Sequence, residues 1–182
     1  LAAFIAVFAA TPAFAASDRT WVASNGSGST CSRALPCATF QVAHDNTNAG
    51  GEINCLDSAD FGSVAISKSI SIICDDAPGR IMGPGVLNAI GINAASSDVV
   101  LLSGLDLNGK GSGSFGVAIT GATGKVQIRN SVVQGFLISG VLWSGTASSQ
   151  LFIADSFVHD NSNNIDVSAG SAAASALNAH IN

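Results

Sequence analysis

The side chains of this 182-residue chain whose types and spacing could do chemistry are few: four cysteines, three histidines, one adjacent acid pair and two cations around an apolar pair. The acid pair, Asp75-Asp76, is followed by Ala-Pro-Gly, and in that company it reads as a solvated turn rather than a catalytic couple. The histidines, His44, His159 and His180, have no serine or acid partner at a spacing that would suggest a triad. Lys125 and Arg129 sit in "TGKVQIRN" and alternate with Val126 and Ile128, so they should face outward on a strand, where they could form part of a ligand surface. Trp143 could add an aromatic platform to such a surface, although its place in an apolar pair makes core packing the default.

Cys31, Cys37, Cys55 and Cys74 are an even set. They include no C-x-x-C and have no histidine at ligand spacing, so they point to two disulfides and not to zinc, with three connectivities open at this stage. An oxidising destination agrees with the leader "LAAFIAVFAATPAFAA", residues 1–16, which is uncharged and ends on a small-x-small pattern at Ala13-Phe14-Ala15. Pro12 interrupts it and it is short for a membrane span of about 20 residues. The expected location is therefore secreted, periplasmic or cell-surface, with no membrane span in the mature chain. A basic start to the leader is lacking, which suggests that the natural N-terminus lies further upstream.

The remainder is 47% hydrophobic across the chain and 10% charged, with 20 glycines and no tyrosine. That is too apolar for disorder and implies a packed domain with a largely uncharged surface. A net charge of −5 without a basic run argues against nucleic acid or anionic lipid as an electrostatic partner.

The elements that must position these residues show as a repeat. Apolar pairs with one residue between their members recur as Ile53/Cys55, Ile72/Cys74, Val99/Leu101, Val126/Ile128 and Leu151/Ile153. A second column, Val64/Ile66, Ile90/Ile92, Val117/Ile119, Val141/Trp143 and Ile165/Val167, keeps step with the first. A third strand is expected through Leu105/Leu107, Val132 and Phe157. Period-2 pairs separated by Gly, Ser, Asn and Asp turns, in columns that stay in phase, predict an all-β parallel β-helix of about five rungs.

Cys55 and Cys74 hold equivalent places on adjacent rungs, where a disulfide can form, leaving Cys31 and Cys37 to close "CSRALPC". Ser103, Asn130 and Asp155 follow their first-column pairs at one position and are expected to stack as a structural turn ladder. Residues 17–51 read as an N-terminal cap. Thr39 would start a short helix through "TFQVAHDNT" with Phe40, Ala43 and Val42 turned inward, Gly50-Gly51 would stop it, and Trp21 would seal the end. Residues 52–182 read as rungs, and "ASALNAHIN" begins like another first-column strand that the sequence cuts short.

The run "CATFQVAHDNTNAGGEINCLDSADFGSVAISKSISIIC" is similar to the opening of right-handed parallel β-helix proteins of the pectin-lyase-like superfamily. There a T-x-Q-x-A helix leads through a Gly-rich turn to a first strand, an aromatic-Gly turn (Phe61-Gly62) and V-x-I-x-K-S-I-x-I (Val64 to Ile72). The resemblance covers Trp21 to about Val167, is greatest to small secreted bacterial members without an assigned activity, and implies a right-handed coil. It says little about function, because this fold carries lyases, hydrolases, esterases, tailspikes and inert surface proteins.

The enzymes' signatures are not matched here. Gly-His-Gly and Arg-Ile-Lys of the galacturonan hydrolases are absent, as are the esterases' DFIFG and GRPW. A pectate lyase needs a calcium site of clustered acids beside a basic side chain, whereas Asp106, Asp155 and Asp166 stand in different columns. The reading that follows is a structural or polysaccharide-binding module with no catalytic residue, no metal and no cofactor. The alternative is a polysaccharide lyase, with calcium, whose active residues lie on further rungs.

Overall fold

The computed structural model describes residues 16–83, 85, 87–145, 149–168 and the backbone of 177–179. The expected leader cleavage region through residue 15, and His180, lie outside the described residues. The chain forms an all-β, right-handed parallel solenoid of about six turns with one short helix. In chain order, β1 (Ser17–Val22) and α1 (Phe40–Asn46) precede β2 (Thr47–Cys55) and β3 (Val64–Ile66). Three-stranded turns follow: β4 (Ile70–Ile73), β5 (Gly79–Met82) and β6 (Asn88–Ile92), then β7 (Val99–Ser103), β8 (Leu105–Asn108) and β9 (Phe115–Gly121). The next are β10 (Lys125–Arg129), β11 (Val132–Gln134) and β12 (Ser139–Gly145), and β13 (Gln150–Ala154), β14 (Phe157–His159) and β15 (Asn163–Val167), before β16 (Leu177–Ala179).

Stacking the turns generates three parallel sheets. The first has the order β1-β2-β4-β7-β10-β13-β16, the second β5-β8-β11-β14 and the third β3-β6-β9-β12-β15. Most strands alternate, and the inward positions meet in one apolar core. In the third sheet the expected pairs stand in register, Val64, Ile90, Val117, Val141 and Ile165 in one row and Ile66, Ile92, Ile119, Trp143 and Val167 in the next. Leu177–Ala179 of "ASALNAHIN" pair with β13, as expected of a further first-sheet strand.

Two rows differ from the sequence reading by one residue. In β7 the inward pair is Val100/Leu102, registered on Ile70/Ile72 and Val126/Ile128, while Val99 is 46% exposed. In the second sheet the inward row is Ile81, Leu107, Val133 and Val158, so Val132 and Phe157 point outward. Both slips fall where two apolar residues are adjacent, so alternation alone leaves the parity undetermined.

The N-terminal segment is partly solenoid. β1 pairs in parallel with β2, adding a first-sheet strand ahead of the expected rungs. Trp21 lies between the buried Thr20 and Val22 and so stands on the outer face of this strand, half-buried, rather than plugging the end. The helix forms as expected: Thr39 is extended and its Oγ1 accepts the Val42 N–H at 3.2 Å. Phe40 and Ala43 are buried, but the third inward residue is His44, and Val42 is exposed. The helix ends at Asn46, where Thr47 is already extended and begins β2, so Gly50-Gly51 is not its stop.

Cys31 is bonded to Cys37 and Cys55 to Cys74, with Cα separations of 4.7 and 4.9 Å. The second bridge spans adjacent turns and explains Gly79 on the inward side of β5. A Cβ there would lie 2.8 Å from Cys74 Sγ, 2.9 Å from Cys55 Sγ and 2.8 Å from the Phe40 ring. Among the described residues no helix is long and apolar enough to cross a membrane.

At the corner leading into the first sheet, Asp98 accepts from Ser69 Oγ at 2.7 Å and from the Ala95 amide at 2.8 Å. These two hydrogen bonds, the Ser69 bond first, hold its carboxyl below the ordinary 3.8. A depressed carboxyl contributes stability that is fully present above its unfolded pKa and disappears as pH falls through the folded one. Ser69→Ala should therefore lower the melting temperature at about pH 7 and much less at about pH 2. A deficit of equal size at both values would show that the charge on Asp98 does not matter.

Candidate functional site

The chain turns from the first sheet into the second through three equivalent corners. Gly104, Asn130 and Asp155 occupy the same place, with φ of 72°, 48° and 50°. Glycine adopts this left-handed conformation freely, and Asn and Asp tolerate it best among the other residues. The expected ladder of Ser103, Asn130 and Asp155 is thus corrected in one member: Ser103 is registered with Arg129, one residue before Asn130, because of the parity slip in β7. Glycine is needed at 104 for space as well, since a Cβ would come within 2.3 Å of the Cys74 carbonyl carbon.

Behind these residues runs a buried serine ladder that the sequence reading missed. Ser131 Oγ accepts the Leu105 N–H and Ser156 Oγ accepts the Ser131 N–H, each at 3.2 Å. The two hydroxyls donate back to Arg129 O at 2.6 Å and Ala154 O at 2.8 Å. Corner amides that would otherwise be buried and unpaired are satisfied, which fixes the corner rigidly.

On the outside of this corner lies a groove of about 340 Å³ lined by Asp75, Pro78, Arg80, Asp106, Asn130 and Val132 among others. Asp75 Oδ1 accepts from Ser103 Oγ at 2.7 Å and from Asn130 Nδ2 at 3.3 Å, linking three successive turns. Arg80 and Asp106 are registered neighbours on β5 and β8, with Arg80 Nε 3.4 Å from Asp106 Oδ2. Asp106 Oδ1 is buried and has no hydrogen-bond partner among the described residues. The outward row continues through Val132 to Phe157, which is 54% exposed. The groove therefore offers carboxylate and amide groups from successive turns with apolar surface beside them.

The other candidate residues are distributed as follows. Lys125 and Arg129 face outward on β10 as expected, and Lys125 Nζ stands 4.9 Å above the Phe152 ring on the neighbouring strand. Arg129 is exposed at the end of β10, on the face of the first sheet. Trp143 is 2% exposed and belongs to the core, so it is not part of any ligand surface. Its register with Ile119 and Val167 settles its inward direction. Asp155 extends the corner by one turn, and Asp166 lies apart on the third sheet, accepting from Ser139 and Ser168 hydroxyls.

Two histidines have an acid neighbour that spacing did not suggest. His44 Nδ1 is 3.0 Å from Asp45 Oδ1, and His159 Nδ1 is 2.9 Å from Asp160 Oδ2, each pair adjacent in sequence. The group meeting His44 Nε2 is the backbone amide of Ser67, at 3.5 Å, not a hydroxyl, so the arrangement holds the cap against β3 instead of activating a nucleophile. Among the described residues no group of three or more His, Cys, Asp or Glu side chains converges as a metal site. No protein-family model, curated protein or solved structure matches the chain.

Proposed function

We propose that this chain is a secreted or surface-exposed β-helix of the pectin-lyase-like type that serves as a structural or polysaccharide-binding module, with the corner between the first and second sheets as its glycan site. The observation that carries the reading is the groove itself: Asp75, Asp106 and Asn130 come from three successive turns and open on one axial channel. A glycan presents hydroxyls at regular intervals along an extended chain, and stacked turns about 4.8 Å apart offer acceptors and donors at a matching scale. Export is supported by the two disulfides and by the apolar leader sequence.

The non-catalytic form of the reading is favoured because the cations that could serve as a base are engaged elsewhere and the carboxylates are partly bonded within the protein. Arg80 is paired with Asp106, and Asp75 holds Ser103 and Asn130. Lys125, the nearest analogue of a lyase base along with Arg129, is drawn over Phe152. The test is a thermal-shift survey of the oxidised mature chain against neutral and acidic polysaccharides, with and without calcium, together with the ultraviolet absorbance of unsaturated uronates. Stabilisation without product is expected, and a ligand at about 100 times its Kd should add roughly 2.7 kcal/mol. Calcium-dependent growth of that absorbance would overturn the non-catalytic reading in favour of a lyase. No response to any glycan would leave a purely structural shell protein.

A further inference from the structure

We infer that the corner groove selects an uncharged, hydroxyl-rich glycan over a uronate-containing one, an inference that rests on the glycan-binding reading above. The first reason is the hydrogen-bond inventory. Asp106 is held on one oxygen by Arg80, while its buried Oδ1 has no donor within the described protein. The Asp106 side chain is 29% exposed and lines the groove, so its carboxylate can accept from ligand hydroxyls, whereas a ligand carboxylate brings no hydrogen at neutral pH. Asp75 is likewise an acceptor, and part of its capacity is already taken by Ser103 and Asn130.

The second reason is charge. Asp75, Asp76, Asp106 and Asp155 lie in the corner segments of the groove and its extension, against the two guanidinium groups of Arg80 and Arg129. Arg80 and Asp106 offset each other, which leaves Asp75, Asp76 and Asp155 against Arg129 on the adjoining face of β10. A polyuronate would place its own carboxylates in this negative field, whereas a neutral sugar pays no such cost. The third reason is the apolar strip beside the acids. Val132, and one turn further the exposed Phe157, offer a surface to the C–H faces of sugar rings while the carboxylates take the hydroxyl edges.

The test uses the oxidised mature chain and titration calorimetry with oligosaccharides of β-linked glucan, xylan and mannan alongside oligogalacturonate, at low salt and without calcium. At least one neutral series should bind at least about tenfold more tightly than oligogalacturonate, and Asp106→Asn should weaken it about tenfold. Because Asp106→Asn also loosens Arg80, a second variant is needed: Val132→Lys, on the outward side, should weaken the neutral ligand and raise affinity for oligogalacturonate. Arg19→Gln, on β1 and outside the groove lining, should leave the neutral affinity within about twofold. Far-ultraviolet circular dichroism and the melting temperature of each variant separate misfolding from lost binding. Tighter binding of oligogalacturonate, or a neutral ligand indifferent to both Asp106→Asn and Val132→Lys, would overturn the selectivity while leaving glycan binding intact. Absence of binding by every glycan would overturn both.

Discussion

Trp143→Ala should lower the stability of the distal turns by about 3–5 kcal/mol, the cost of deleting a large buried aromatic from a core that cannot collapse around the gap. The indole is 2% exposed, and its row is otherwise Ile66, Ile92, Ile119 and Val167, so it is the one aromatic in a row of aliphatic side chains. Space is made for it by Gly145, where an added Cβ would stand 2.3 Å from Trp143 Nε1. In a solenoid each turn contacts only its neighbours, so the loss should be local before it is global. Hydrogen exchange should show it: amides of β9, β12 and β15 lose protection, while those of β2 and β4 keep theirs. A urea midpoint corresponding to a change of less than about 1 kcal/mol would mean that the indole does not fill the core as described.

The second large effect is expected from removal of the bridge between turns. The Cys55→Ala, Cys74→Ala double variant opens a closure across a sequence separation of 19, and on loop entropy it should cost about 3 kcal/mol. The shorter Cys31–Cys37 closure spans 6, for which the same relation gives about 2 kcal/mol. The longer bridge should also matter in a more specific way. Cys55, Cys74 and Phe40 all press on Gly79, so α1, β2, β5 and the residue after β4 meet at that one point. Limited proteolysis of the double variant should therefore cut first in the segment from 56 to 63 between β2 and β3. Cleavage first near β13, with this segment intact, would show that the N-terminal turns hold together without the bridge.

How far the sequence could be read depended on parity. The third sheet is legible without error because its strands, such as Val64-Ala65-Ile66 and Ile90-Gly91-Ile92, place a small residue between two apolar ones, which admits a single phase. "DVVLLS" does not, since either Val99/Leu101 or Val100/Leu102 satisfies alternation. The choice is made by pairing with Ile70 and Ile72. The same ambiguity in Val132-Val133 and Phe157-Val158 reversed two strands of the second sheet, whereas Leu105 and Leu107 point inward as expected. Because the candidate groove lies at the corner between those two sheets, the two one-residue slips together concealed it. They placed Ser103 where Gly104 stands and turned Val132 and Phe157 inward, away from Arg80 and Asp106. Trp143 carried the same ambiguity, since Leu142 stands between it and Val141, and pairing with Ile119 and Val167 decides it.

The Cys55–Cys74 bridge also gives the molecule a direction under load. Pulled from its two ends, a coil of this kind pays out chain one turn at a time, since each turn is held only by its neighbour. Unwinding from the C-terminal side would release β13, β10 and β7 in sequence, each turn lengthening the tether by its own share of residues at up to about 3.5 Å apiece. When the unwinding reaches β4, the covalent link carries the force past the enclosed loop. The 19-residue separation that it spans stays out of the extended length, roughly 65 Å of tether withheld. Held at its N-terminal side, the coil would thus yield gradually from the other side and come to a hard stop at the bridge, keeping its first turns tied together under tension.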